Sequence, residues 1–246
     1  MKISAQYIAK EDSWYSAMLF VSSILSVRKF VDEIIVVDNG CSDFVKEMYF
    51  DALINTGKEY RVLNTDAVRF DDKRNVALKN SDANVILWVD SDEVHFPDEL
   101  AKVKQFLENP DITEITTSFY HLVRDPKHYR EIQPRRNIFR RNEKTRWDLP
   151  VHETLRDIPD GLKVHTPYTY LHLGYTKPRT EVLSHWVKYS ELEGKPDHYD
   201  KNNLDPTNDL HGQYNGLAEY TGTYPEELSW LFEEKLLEEH GIQFGK

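Results

Sequence analysis

Three observations predict an α/β fold: a mostly parallel central sheet flanked by helices, then a mixed-strand half and a C-terminal helical extension. Strand-like and helix-like stretches alternate over the first 110 residues. Two of the strands, EIIVVD at residues 33–38 and VILWVD at residues 85–90, are unbroken apolar runs ending in a carboxylate, the pattern of strands buried on both faces. After residue 110 the pattern changes to longer segments rich in Thr, Tyr, Phe and Ile.

Taken in order, residues 2–9 read as the first strand. Asp12 or Ser13 caps a helix in which Trp14, Met18, Val21, Leu25 and Arg28 recur at helical spacing. Residues 33–38 form the second strand, and the NGCSD turn after it offers Ser42 as cap for a helix through about Thr56. Residues 60–63 give a weaker strand and residues 71–80 a helix. The VILWVD strand follows, and Pro97 then takes the first position of the helix PDELAKVKQFLENP. Such alternation implies parallel strands joined by right-handed crossovers. Ligands of these sheets gather at the carboxyl ends of the strands, where Asp38, Asp90 and Asp92 fall.

Further along, residues 112–123, 131–140 and 163–173 read as strands and residues 178–193 as a helix. The polar stretch 194–224 reads as loop. Residues 225–240 predict one amphipathic helix with Leu228, Leu231, Phe232, Leu236 and Leu237 on one side and Gly241 as its stop. The organisation expected is an α/β half over 1–110, a second half of the same domain over 111–195, and a loop-and-helix extension over 196–246.

Composition narrows the function classes. At 246 residues and 39% hydrophobic content the chain can bury a full core, and there is no room for a second domain of that size. A formal charge of −11 argues against holding a nucleic-acid backbone by bulk electrostatics. A local basic strip exists at Arg135, Arg136, Arg140, Arg141, Lys144 and Arg146. The longest nearly apolar segment, residues 18–27, contains three serines and is too short to cross a bilayer, so no integral membrane segment is expected. MKISAQYIAKED lacks the apolar stretch of a signal peptide, and one cysteine, Cys41, allows no intrachain disulfide. Both suit a cytoplasmic protein.

The most informative stretch is VILWVDSDE, where a core strand gives way to three carboxylates. Asp90 and Asp92 are two apart, so on an extended strand end they project to one side and can share a hard divalent cation, with Glu93 beside them. A solvated loop is the plainer reading of such a pair. Asp38 can accept hydrogen bonds from a uracil or ribose edge, or can cap the turn after it. His172, ending the apolar run YLHL, is either a third metal ligand or a packed core residue.

Four segments in this order carry a resemblance: VDEIIVVDNGCSD, KRNVALKNSDANVILWVDSDE, RRNIFRRNEKTRWDLPVHETL and YLHLGY. Over residues 1–190 the chain resembles family 2 glycosyltransferases of the GT-A fold. The resemblance implies inverting transfer of a sugar from a nucleoside-diphosphate donor, usually UDP-linked, with Mn2+ or Mg2+ at the D-x-D of Asp90 and Asp92. It places Arg74 and Asn75 near the nucleotide, together with Ser91 and Asp90, and Glu11 from the first loop. That loop departs from the R-N-E-E of similar members, reading Ala9, Lys10, Glu11, Asp12.

An inverting displacement needs a base for the acceptor hydroxyl. Glu153 of LPVHETL, beside His152, is the first choice and Asp148 the rival; a structural pairing of Glu153 with Arg141 or Arg146 is the alternative. The arginine strip can hold an anionic acceptor or the diphosphate, or form a solvated face. Trp147 can stack on a sugar ring or pack in the core. The hydroxyl acceptor is left open among a polysaccharide, a protein side chain, a small molecule and a modified nucleobase. A sugar-nucleotide nucleotidyltransferase is the second class, although AKEDSW has no glycine for a phosphate loop. A non-catalytic nucleotide-sugar-binding module of the same fold is the third.

Overall fold

The computed structural model describes residues 1–194 and 216–244. β1 (Ile3–Ala9), β2 (Glu33–Asp38), β3 (Glu59–Asn64) and β4 (Val85–Trp88) lie parallel in the order β3-β2-β1-β4. β2 is buried at every position, which is why its six residues show no polar alternation. Each fully buried Ile or Val there contributes about 1.5–3 kcal/mol relative to exposure. The connecting helices are α1 (Trp14–Ser26), α2 (Asp43–Thr56) and α3 (Phe70–Lys79). Ser13 caps α1 by accepting from the Ser16 amide at 3.1 Å, and α2 ends on Gly57 at φ 65°.

The second half continues the same sheet. α4 (Pro97–Leu107) leads into β6 (Ile112–Val123) and β7 (His128–Arg140), and β7 pairs antiparallel with both β4 and β6. β10 (Leu162–Tyr175) runs parallel to β6, and the two-residue β5 (Glu93–Val94) pairs antiparallel with β10, setting Glu93 opposite His172. A separate hairpin, β8 (Arg146–Asp148) and β9 (Thr154–Arg156), stands over α3. α5 (Arg179–Leu192) follows β10.

The C-terminal region departs from expectation. The single helix predicted over 225–240 is a 3-10 helix, Glu226–Phe232, and a short α6, Glu234–Glu239, broken at Glu233 (φ −89°, ψ 83°). The break suits the packing against α1: the Trp230 indole donates to Ser22 Oγ at 3.0 Å, and Arg28 pairs with Glu227 at 2.7 Å. Leu228, Leu231 and Leu237 are buried as expected, whereas Phe232 is exposed. Within the stretch read as loop, Ala218–Glu219 forms β11 on the edge of β7, residues 216–217 and 220–224 are in neither helix nor strand, and residues 195–215 lie outside the described residues. No helix among the described residues is long and apolar enough to cross a membrane.

Candidate functional site

The carboxyl ends of β1 and β4, the start of α3, the β8–β9 loop, the end of β10 and α5 enclose a cleft of about 650 Å³. β4 stops at Trp88, and the Glu93 amide donates to the Asp90 carbonyl at 3.1 Å, closing a tight turn over 90–93. The extended strand end expected for D-x-D is therefore not what forms. Asp90 and Asp92 enter different surroundings.

Asp90 accepts from Arg74 Nη2 at 2.6 Å and from Arg135 Nη2 at 2.7 Å. Both guanidiniums rest on the Trp88 indole, with Cζ 4.3 and 3.8 Å from a ring centroid. Burial alone would raise the Asp90 carboxyl, but the charges of Arg135 and Arg74 hold it well below the usual carboxylate range. Behind it the buried Glu93 pairs with Arg135 and accepts from the Asp90 amide at 3.0 Å and the Tyr170 hydroxyl at 3.2 Å. Burial pushes the Glu93 carboxyl up, against the pull of Arg135.

Asp92 has a different set of partners. Its Oδ2 lies 3.3 Å from Lys177 Nζ and its Oδ1 lies 3.6 Å from His172 Nε2. Burial opposes ionisation here too, and Lys177 and His172 outweigh it to lower the Asp92 carboxyl. The His172 imidazole has a buried Nδ1 without a hydrogen-bond partner, and burial lowers its pKa. Gly174 makes the approach possible: a Cβ there would stand 2.7 Å from Asp92 Oδ2 and 3.1 Å from the His172 ring. Lys177 also reaches Glu11 at 3.6 Å, and Ser91 Oγ donates to Glu11 Oε1 at 2.5 Å, which ties the first loop to the acidic turn.

His172 Nε2 and Asp92 Oδ1, 3.6 Å apart in a glycine-made gap, fit a divalent cation that takes two protein donors and fills its other positions from ligand and water. Among the described residues no group of three or more His, Cys, Asp or Glu could hold a metal ion. Asp90, with two arginines on it, is not gathered with Asp92 as the expected shared donor pair.

Glu153 faces this cleft from the β8–β9 loop. Its Oε1 accepts from Arg74 Nε at 2.9 Å, so Arg74 bridges Asp90 and Glu153. The loop is strained, with Leu149 and His152 at φ 80° and 55°, conformations that side chains other than glycine rarely adopt away from functional sites. Asn75 secures it: its amide donates to the Trp147 carbonyl and accepts from the Trp147 amide, both at 2.9 Å. The Phe70 amide adds a bond to the Pro150 carbonyl at 3.2 Å.

The sequence profile of glycosyl transferase family 2 matches residues 20–156, more than half of the chain. The chain belongs to this family. Its α/β architecture is of the GT-A type. A search of curated proteins gives no match. Among solved structures it is similar to S. aureus TarS 1-349 in complex with UDP-GlcNAc, at 20% identity and TM-score 0.40 over 53% of this chain and 37% of that one. TarS 1-349 alone overlaps more widely, at 13% identity and TM-score 0.46 over 87% of this chain and 77% of that one. Glucosyl-3-phosphoglycerate synthase from Mycobacterium tuberculosis, solved with Mn2+, UDP and phosphoglyceric acid, gives 19% identity and TM-score 0.35 over 48% of this chain and 43% of that one. This family 2 chain thus spans about two fifths of the length of the first structures it matches. Overlaps this loose say nothing about its donor or metal.

Of the residues singled out from the sequence, Glu11, Arg74, Asp90, Ser91, Asp92, Glu153 and His172 line the cleft. Asp38 does not: it accepts from the Gly40 and Cys41 amides and the Tyr49 hydroxyl, each at 2.8 Å, and serves the turn after β2. Asp148 also lies outside, accepting from the Leu149 amide at 3.0 Å and 3.7 Å from Arg156. Asn75 serves the hairpin backbone. Trp147 is a core residue against Trp88 and Phe139.

The arginine strip divides. Arg135 alone lines the cleft, while Arg140 and Arg141 bond backbone carbonyls, and Arg136 and Arg146 pair with Glu114 and Asp157. Neither arginine proposed as a structural partner of Glu153 holds it; Arg74 does. Lys73, Lys177, His185 and Lys188 also line the cleft, and sequence reasoning passed over them. Lys177 had one local signal, its place just past the YLHLGY segment.

Proposed function

We propose that this cleft transfers a sugar from a nucleoside-diphosphate donor, UDP-linked as is usual in the family, to a hydroxyl acceptor with inversion. The observation that carries this reading is the Arg74 bridge, which sets Glu153 and the acidic turn of Asp90 and Asp92 in one cleft. Asp92 and His172 would hold Mn2+ or Mg2+, which would supply positive charge to a leaving diphosphate. Arg74 and Arg135, already aligned on Trp88, supply further positive charge at the donor end.

Glu153 acts at the acceptor end. Its hydrogen bond to Arg74 uses Oε1 and orients the carboxylate, leaving Oε2 to take the proton of an acceptor hydroxyl. The acceptor oxygen then bonds to the anomeric carbon on the face opposite the diphosphate. The bond from that carbon to the diphosphate oxygen breaks, and UDP departs with the electron pair. Tyr189, Val151 and Phe70 line the same cleft and exclude water from part of it.

Calorimetric titration of UDP with Mg2+ and with excess chelator tests the donor half. Affinity falls at least tenfold in chelator if the carboxylates and diphosphate need a cation between them. Equal affinity in both removes the metal role from Asp92 and His172.

A further inference from the structure

β3 closes one end of the large sheet: it pairs with β2 over Glu59–Asn64 without a register shift, and no strand lies on its other side among the described residues. Such an edge offers a row of free amides and carbonyls to a further strand. It contains neither proline nor glycine nor a bulge, the backbone features that spoil an edge for pairing. Four exposed large apolar side chains lie on it or on the helix just before it: Phe44, Phe50 and Ile54 on α2 and Tyr60 on β3, with Ile54 60% and Tyr60 37% exposed. None of the four lines the cleft.

The two faces of β3 differ. Val62 packs in the same core as Val45, Tyr49 and Leu53 of α2, and Leu63 packs with Val76 and Ala77 of α3. Side chains alternate along a strand, so Tyr60 shares the α2 side with Val62, while Glu59 and Arg61 share the α3 side with Leu63. The Arg61 guanidinium fits this placement: it donates to the Asn80 carbonyl at the end of α3 at 2.7 Å and lies 3.2 Å from Glu59. Both charged side chains remain about half exposed.

The partner this edge fits is a second copy of the chain. Two β3 strands related by a two-fold axis perpendicular to the sheet run antiparallel, and each side chain then meets one from the same side of the sheet, which leaves only registers centred on a single residue. Centring on Glu59 or Arg61 sets like charges directly opposite. Centring on Val62 or Leu63 sets both charges against uncharged residues. Centring on Tyr60 sets Glu59 opposite Arg61 of the second copy, twice over, and the two tyrosines opposite each other on the α2 side. Opposite charges and aromatic rings in directly opposed positions favour pairing, and like charges disfavour it. We propose that β3 pairs with β3 of a second copy in this register, giving a weak dimer with one continuous sheet. The paired stretch, Lys58 to Val62 in each copy, is short because Gly57 ends α2 just before it. Since the strands are antiparallel, the two clefts face opposite ends of the joined sheet.

Sedimentation equilibrium of the full chain across the micromolar range reads the dimer directly. Glu59→Arg weakens it about tenfold, because like charges then meet at two places, and Glu59→Arg/Arg61→Glu returns it to within about threefold of wild type. Both positions are about half exposed, so folding is not at risk. The double exchange gives up the bonds of Glu59 to Lys2 and of Arg61 to the Asn80 carbonyl, so its recovery reports contact between copies rather than within one. A short bismaleimide joins two copies of Tyr60→Cys but not of Asn64→Cys, at the far end of β3; Cys41, the one native cysteine, is buried.

A chain that stays monomeric throughout the range overturns the proposal, as does a dimer that ignores Glu59→Arg and therefore uses another surface. A dimer lost in Glu59→Arg and not regained in the double exchange overturns the pairing of Glu59 with Arg61. Joining through Asn64→Cys and not through Tyr60→Cys overturns the register.

Discussion

Replacing Glu153 by Gln separates a chemical role from a structural one. The carboxylate accepts from Arg74 Nε at 2.9 Å, and a glutamine carbonyl can occupy the same place. What is lost is charge assistance, the difference between a bond worth about 1.5–3 kcal/mol and one worth about 0.5–1.5 kcal/mol. Arg74 keeps Asp90, so the net stability cost is about 1 kcal/mol, or roughly 2–4 °C in Tm for a chain of this size. A lost general base costs about 10²- to 10⁴-fold in turnover, equivalent to roughly 2.7–5.4 kcal/mol of barrier. The assay is release of UDP from a UDP-sugar, with water or a sugar hydroxyl as acceptor, alongside calorimetry of UDP and a thermal melt. Expected are a fall in kcat of at least a hundredfold, UDP affinity within threefold of wild type and the small shift in Tm. Asp148→Asn should leave turnover intact, since Asp148 lies outside the cleft. Retention of more than a third of wild-type kcat by Glu153→Gln would refute the base, and loss on Asp148→Asn would move it.

Gly174→Ala drives a methyl to within 2.7 Å of Asp92 Oδ2, so UDP affinity in Mg2+ should fall about tenfold while affinity in chelator stays put; an unchanged Mg2+ dependence would detach the pair from the metal. Asp90→Asn leaves two guanidiniums short of a charge and should cost roughly 1–3 kcal/mol in a denaturant melt, a figure reduced because the side chain is one-third exposed. Loss of the Mg2+ dependence in Asp90→Asn would instead make Asp90 a metal donor. Lys73 titrates near 8 when folded and at its ordinary, higher value when unfolded, so the unfolded chain binds more protons between these values and stability rises with pH across that window. Lys73→Met should remove this rise and stabilise the protein at pH 7 by an amount on the order of 3 kcal/mol; a pH-stability profile unchanged by the substitution would show that Lys73 is not buried as a cation.

The parts of the fold legible in the sequence are those whose signals are local. The apolar run IIVV within EIIVVD marks a strand buried on both faces, and Ser13 and Pro97 mark helix starts, so β1 to β4 and α1 to α3 stand within a residue or two of expectation and α4 ends three residues earlier than expected. β5, β8, β9 and β11 are two or three residues long, too short for any periodicity, and exist because a partner strand or a tight loop presents the matching edge. The broken C-terminal helix fails for a related reason. Its leucine spacing is helical, but docking on α1 through Trp230 and Glu227 sets the local backbone, and tertiary contact overrides propensity.

The candidate site shows the same division at the level of single atoms. That carboxylates after a core strand belong to a functional cleft could be read from nine residues. That Asp90 and Asp92 part company could not, because it depends on a turn closed at Glu93 and on cations brought from far along the chain. Arg135, 45 residues beyond Asp90, arrives on β7 because β7 pairs with β4; Lys177 arrives because β10 takes β5 as its edge and carries His172 and Gly174 with it. Asn75 is the clearest instance of a residue whose neighbourhood was right and whose work was not: it stands next to Arg74, but its amide grips the Trp147 backbone, so its effect on the cleft passes through the placement of Glu153. Spacing in a sequence tells which residues can meet a ligand together only while the chain between them keeps one geometry, and the turn at residues 90–93 ends that condition within the D-x-D itself.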